Sequence, residues 1–148
     1  MREILFRGKR VDNGELVYGY YFKATHHWHN HGIHEDWILR GVAQNGGWVS
    51  FHGRHAIVPE TLGQFTGLTD KNGKQIFDGD ICQINGVSYI DDTPFVVEWN
   101  DEYSGWFWKE LSFSFPTDTI TPEIAETAEV IGNIHDNPEL LTAERREE

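Results

Sequence analysis

The sequence has little cysteine, no long apolar run and few positive charges in its second part. A single cysteine, Cys82, in 148 residues excludes a disulfide framework within the chain. No apolar run approaches the roughly 20 residues that a membrane-spanning helix needs, and the first residues lack the apolar segment of a signal peptide. We therefore expect a cytosolic protein with no membrane segment.

The positive charges are unevenly distributed. Residues 1–58 hold seven Lys and Arg against five Asp and Glu, a balance of +2, whereas residues 59–148 hold five against nineteen, a balance of −14. An acidic C-terminal part repels phosphate, so nucleic acid is disfavoured as a partner. The asymmetry permits head-to-tail contacts between copies, although acidity can also serve solubility alone. It suggests sub-modules 1–58 and 59–148 within a single unit spanning 1–148.

Aromatic residues are abundant, with six Trp, nine Phe and five Tyr, which is enough bulky side chain for a folded core. Apolar runs flank the Asp-Asn-Gly turn at residues 12–14, a pattern typical of a β-hairpin. Thr121-Pro122 and Asn137-Pro138 each combine an N-cap residue with a proline at the first helical position. The sequence therefore predicts an all-β fold with one or two short helices.

The segment Pro59–Ile81, PETLGQFTGLTDKNGKQIFDGDI, contains the most specific turn signal. The Asp70 side chain can accept a hydrogen bond from the backbone two residues on, and Gly73 can take a positive φ. The three-residue loop places Asp70 opposite Lys74, and a second tight turn is predicted at residues 78–80. Turn formation explains these aspartates better than a Mg²⁺ or Ca²⁺ site does.

The same segment resembles the signature of the YopX family, small proteins found mostly in phages and prophages. Three further segments resemble the opening, middle and closing parts of that family, in the expected order: Arg2–Lys9, Val97–Trp106 and Val130–Leu141. The resemblance implies a small SH3-like β-barrel in the C-terminal part, packed with an N-terminal β-hairpin or sheet region. It also implies a tendency to self-assemble, and it supplies no catalytic residues and no known activity.

A histidine tract at residues 26–34 holds five of the eight histidines. His27, His29 and His31 alternate, so on a strand their imidazoles would face one side, as zinc or nickel binding requires. The tract is thus a candidate metal site, in a metal-binding protein or a metal-dependent enzyme. The alternative is a polar loop that is rich in histidine without binding metal. No other cofactor is indicated.

An aromatic cluster is the second candidate site, formed by Trp99, Tyr103, Trp106 and Trp108. Such a platform can stack bases or a proline-rich peptide. The neighbouring residues are mostly acidic, which disfavours nucleic acid. The alternative is that these side chains pack in the core or at a subunit interface.

These observations favour a non-enzymatic phage or prophage accessory protein that acts as a binding or assembly module and forms a homo-oligomer. It would act in the host cytoplasm or in the virion, and any further partner would be a phage or host protein that the sequence does not identify. Two alternatives stay open: a metal-binding protein or metal-dependent enzyme using the histidine tract, and a small barrel that binds nucleic acid.

Overall fold

A computed structural model describes residues 3–24, 35–40, 53–84, 94–110 and 118–141 of the chain. Strands dominate these residues, which confirms the all-β prediction. The strands are β1 (Phe6–Lys9), β2 (Leu16–Lys23), β3 (Asp36–Leu39), β4 (Arg54–Ala56), β5 (Gly63–Thr69), β6 (Gln75–Phe77), β7 (Asp80–Ile84), β8 (Pro94–Asn100), β9 (Gly105–Glu110), β10 (Asp118–Thr119) and β11 (Ala128–Asn133). One α-helix, α1 (Pro122–Thr127), and the 3-10 turns Pro59–Thr61 and Pro138–Leu141 complete the described elements. None of the described helices could cross a membrane.

The chain divides into two compact units, Met1–Phe65 and Thr66–Glu148. The division falls within β5, seven residues after the boundary at residue 58 that the charge distribution suggests. Residues 66–148 hold eighteen acidic and five basic residues, so the second unit carries nearly all of the negative charge.

The first unit contains an antiparallel sheet in the order β4-β3-β2-β1-β5. The predicted β1–β2 hairpin is confirmed, and Gly14 in its turn has a φ of +73°. One face of the sheet packs on a small core of Val17, Ile38 and Ile57, which Phe6, Tyr21 and Leu62 extend. Because side chains alternate along a strand, the neighbours of these core residues point to the opposite face.

Gly19 is required where β2 approaches β3. A Cβ atom at this position would lie 2.1 Å from the carbonyl oxygen of Leu39. The obstacle is backbone, which cannot rotate away as a flexible side chain could. The strands therefore approach this closely only because residue 19 has no side chain.

The second unit contains the β5–β6 hairpin and a sheet in the order β10-β9-β8-β7-β11. Strands β10 and β11 form the edges of this sheet, so it is open and no closed barrel forms within the described ranges. The prediction of β structure in the C-terminal part is confirmed, whereas the SH3-like barrel is not.

The core of the second unit lies against this sheet. Its buried members come from six elements and their flanks: Ile76, Cys82, Ile84, Phe95, Val97, Trp108, Ile120, Ala125 and Ala128. Helix α1 begins as predicted, since the Thr121 hydroxyl accepts a bond from the Ile124 N–H at 3.3 Å and a proline follows the cap. Up to Leu141, where the described residues end, the second proline motif forms the 3-10 turn Pro138–Leu141.

Candidate binding surfaces

The turn predicted at Asp70 is confirmed. Gly73 has a φ of +79°, and its N–H donates to the Asp70 carbonyl at 3.0 Å. The Asp70 carboxylate accepts bonds from the N–H groups of Asn72 at 2.8 Å and Lys74 at 2.9 Å. Its second oxygen accepts from the N–H of Val130 at 3.0 Å, so one carboxylate closes the hairpin and also binds β11.

The environment of this carboxylate favours its charged form. Burial, which leaves Asp70 only 5% exposed, pushes its pKa upward. The hydrogen bonds from Val130, Lys74 and Asn72, with the Lys74 charge, outweigh burial and leave the pKa below its ordinary value of 3.8. All three donors are backbone groups, so the role of Asp70 is structural.

The second turn of the family-like segment is structural as well. Gly79 has a φ of +86°, and the Asp80 carboxylate, 1% exposed, accepts a bond from the Phe77 N–H at 2.8 Å. The Gly79 carbonyl accepts from the N–H of Ile134 at 2.9 Å. Among the described residues no group of three or more His, Cys, Asp or Glu could hold a metal ion.

The closing segment forms a polar turn around Asn133. The side-chain oxygen of Asn133 accepts bonds from the N–H groups of His135 and Asp136 at 3.0 and 2.9 Å. The Asn137 side chain in turn accepts from the Asn133 N–H at 3.2 Å. These bonds satisfy backbone N–H groups where β11 ends.

The histidine tract lies outside the described residues. His27, His29 and His31 therefore have no described geometry, and the metal site stays a prediction.

The residues of the predicted aromatic cluster divide between the core and the surface. Trp108 is 5% exposed and lies in the core, with its ring centroid 5.4 Å from that of Phe95. Trp99 and Trp106 are paired across β8 and β9, with ring centroids 5.2 Å apart, and Trp99 is 42% exposed. Trp108 therefore has the core role that was the alternative interpretation, while Trp99 reaches solvent.

Tyr103 belongs to the other face of the β8–β9 hairpin. Its ring lies 5.5 Å from that of Phe107, which alternates with Trp106 and Trp108 along β9, and Tyr103 is 67% exposed. The turn between the two strands is acidic, with Asp101 and Glu102 exposed. No Lys or Arg occurs from residue 94 to residue 108. We call this turn, residues 99–106, the acidic aromatic turn.

The first unit has an aromatic surface that was not predicted from the sequence. Tyr18 and Tyr20 are 42% and 50% exposed and point away from the core that Val17 occupies on the same strand. Phe22 and Trp37 share this outward face because they are directly opposed across β2 and β3. The signal was present in the alternation of LVYGYYFK, where every second residue from Tyr18 is aromatic. We call these four residues the outward aromatic face.

The charges on the outward side of this sheet are all positive. By strand alternation, the charged residues at outward positions of β1 to β4 are Arg7, Lys9 and Arg54. Arg7 is only 4% exposed, so Lys9 and Arg54 are the two that reach the surface. Arg54 is exposed, and its guanidinium lies 5.1 Å from the ring centroid of Trp37, which is a cation–π distance.

A groove of about 270 Å³ lies beside this pair, lined by Val11, Asp12, Trp37, Arg54, His55 and Ala56. Asp12 is paired with Arg10, whose guanidinium donates to it at 2.6 Å, so these two charges largely offset each other. The pKa of His55 is lowered, first by burial and then by the charges of Arg10 and Arg40. The charge of Asp12 acts in the opposite direction but is the smallest of these effects. We call this groove the Trp37–Arg54 groove. Arg54 is the charged residue of its lining that has no ion-pair partner among the described residues.

The fold and these surfaces define a class: a small two-unit antiparallel β protein with exposed aromatic side chains and turns fixed by buried carboxylates. The family model described as "YopX protein" matches residues 5–142. The chain therefore belongs to the YopX family, as the resemblance of its four segments indicated.

A solved structure shares the fold. The crystal structure of protein EF1440 from Enterococcus faecalis is 24% identical to this chain and has a TM-score of 0.52. The similarity covers 95% of this chain and 99% of that one. No curated protein matches the chain.

Proposed function

We propose that this protein is a non-enzymatic interaction module that self-associates through the outward aromatic face. The observation that carries the proposal is the exposure of Tyr18 and Tyr20, next to the half-buried Phe22 and Trp37, on the side of an antiparallel sheet that is opposite its core. Such a side is usually polar. Tyr and Trp are enriched, together with Arg, in the buried parts of protein interfaces.

The chemistry of the described residues supports an interaction role over catalysis. The buried carboxylates of Asp70 and Asp80 accept bonds from backbone N–H groups of their own turns. Cys82 is fully buried in the core, where a thiol is an apolar packing group. Asp70, Asp80 and Cys82 thus have structural roles, whereas the exposed side chains of Tyr18 and Tyr20 are available for a binding role.

The test is the mass of the protein in solution. Light scattering after size exclusion, at about 100 μM, would detect association even at a Kd of about 10 μM. We expect a mass above that of one 17.1 kDa chain, and we expect Tyr18→Ser/Tyr20→Ser to shift the mass toward one chain. Ile4→Thr is the matched control, because Ile4 is 59% exposed but lies outside this face. A wild type that stays monomeric at this concentration would refute the proposal.

The biological setting is part of the proposal and rests on the family resemblance. We propose that the module is a phage or prophage accessory protein acting in the host cytoplasm or in the virion. Quantitative mass spectrometry of purified virions, set against the infected-cell lysate, distinguishes the two locations.

A further inference from the structure

We propose that the Trp37–Arg54 groove receives the acidic aromatic turn of a second copy of this chain. This inference rests on the proposed self-association and assigns the two surfaces that meet. It makes the contact heterologous, with a different patch contributed by each copy.

The size and chemistry of the groove suit a side chain of another protein chain. Its volume of about 270 Å³ lies below the ~300–1,000 Å³ of pockets that enclose free small molecules. A groove of this size suits one or two side chains presented by a protein. Arg54 has no ion-pair partner within the described part of the chain, and its guanidinium can take a carboxylate while it stays stacked on Trp37.

The second argument is the shape and charge of the turn. Tyr103 is 67% exposed at the tip of the β8–β9 hairpin, and Asp101 and Glu102 precede it. Ser104 has a φ of +50°, a conformation unusual for a residue other than glycine. The backbone bends sharply here, and the Asn100 side chain accepts a bond from the Tyr103 N–H at 3.0 Å. The turn is thus a pre-formed projection, and little ordering entropy would be lost on docking.

The third argument is complementarity. Lys9 and Arg54 are the outward charges of β1 to β4 that reach the surface. The hairpin that carries the turn contains only acidic charges from residue 94 to residue 108, and its one basic residue, Lys109, lies near the end of β9. Both surfaces also expose aromatic rings, so apolar contact and charge attraction act together. A heterologous contact of this kind propagates into a closed ring or an open chain of copies.

The experiment is a charge exchange measured by sedimentation velocity across a concentration series. Arg54→Glu and Asp101→Lys/Glu102→Lys should each weaken association at least tenfold, because each places like charges in contact. An equimolar mixture of the two variants should recover association, since the carboxylate introduced by Arg54→Glu in one chain would then face the two lysines introduced in the other.

The controls carry the same charge changes elsewhere. Lys23→Glu alters an exposed ion pair in which the Lys23 Nζ lies 3.9 Å from the Glu35 carboxylate, and such a pair contributes little. Glu123→Lys/Glu126→Lys alters two exposed residues of α1. Both controls should associate within about twofold of wild type, a change well under about 1.4 kcal/mol.

The outcomes separate the two proposals. A monomeric wild type refutes self-association and this inference with it. A wild type that associates while Arg54→Glu associates equally well, or while the controls weaken as much as the test variants, overturns the groove assignment and leaves self-association standing. Loss in both test variants, with recovery on mixing, supports the assignment.

Discussion

Replacing Asp70 with alanine removes an acceptor shared by three backbone N–H groups, those of Asn72, Lys74 and Val130. Each hydrogen bond to a charged group contributes about 1.5–3 kcal/mol, and an unsatisfied buried donor costs about 1–3 kcal/mol. Because the site is 5% exposed and water can reach part of it after truncation, we expect a loss of about 3–5 kcal/mol. This is a large part of the roughly 5–15 kcal/mol that stabilises a typical domain.

Urea unfolding followed by tryptophan fluorescence and far-ultraviolet circular dichroism measures this loss. Amide exchange at Val130 localises it, since this N–H has its acceptor 60 residues away in sequence. Asp70→Asn keeps one oxygen but turns an NH₂ group toward one donor, so we expect a smaller loss of about 2–3 kcal/mol. Glu126→Gln neutralises an exposed carboxylate and should change stability by less than about 0.5 kcal/mol. A loss below about 1 kcal/mol for Asp70→Ala would refute the reasoning.

The pH dependence of stability provides an independent check. The folded pKa of Asp70 is lower than its ordinary value of 3.8, so the unfolded chain takes up the proton first as the pH falls. The stabilisation is therefore complete above about pH 4–5 and is lost as the pH falls through the folded pKa. Asparagine does not titrate, so the Asp70→Asn variant lacks this pH-dependent stabilisation at every pH. The difference in stability between wild type and this variant should therefore shrink steadily below about pH 4. A difference that is constant from about pH 6 to about pH 2.5 would contradict this assignment.

Two further substitutions test the first unit. Gly19→Ala places a methyl group 2.1 Å from the Leu39 carbonyl oxygen, so it should lower the free energy of unfolding in urea by about 1–3 kcal/mol. The control is Gly105→Ala, whose methyl group would have its nearest contacts at 3.7 and 3.8 Å and should cost under about 1 kcal/mol. Equal costs for the two variants would show that β2 and β3 are not this close. Tyr21→Phe removes the bond that the hydroxyl donates to Asp36 at 2.6 Å and should cost about 1–2 kcal/mol. That bond, with burial and the Asp36 charge, raises the pKa of Tyr21 to about 12, so a difference spectrum showing this tyrosine fully ionised by about pH 11 would contradict it.

The parts of the fold that local chemistry determines were predictable from the sequence. The turn at Asp70 and Gly73 was confirmed because an Asx turn closed by a left-handed glycine depends on residues adjacent in the chain. The start of α1 was confirmed for the same reason, since Thr121 and Pro122 define a cap without help from tertiary structure. The second proline motif forms a 3-10 turn over the described residues, which end at Leu141.

The candidate site depended on register, which the sequence does not reveal. Trp99, Tyr103, Trp106 and Trp108 are close in sequence, but the pleat sends Trp108 to the core and associates Tyr103 with Phe107 on the other face. The pairing of β8 with β7 and β9 decides which face of these strands is buried, and the sequence does not show this pairing.

The outward aromatic face was missed for a related reason. The alternation of tyrosines in β2 was visible, but period-two patterns do not state which of the two faces is buried. Gly19 takes an inner position because a side chain there would meet the Leu39 carbonyl oxygen, and Val17 takes the inner position that belongs to the core. The larger tyrosines at positions 18 and 20 are consequently left in solvent.

The position of β11 has a consequence for synthesis on the ribosome. This is the last of the described strands, yet it pairs with β7 and supplies the Val130 N–H that Asp70 binds. The first unit ends at residue 65, within β5, and its pairings of β1 with β2 and β5 use residues no later than Gln64. It can therefore begin to fold while the remainder is still being translated, because domains fold as units from the N-terminus. The second unit has to wait until residue 133 has left the exit tunnel. Until then β7 presents an unpaired edge, so a nascent chain stalled before residue 128 should be the form most dependent on chaperones.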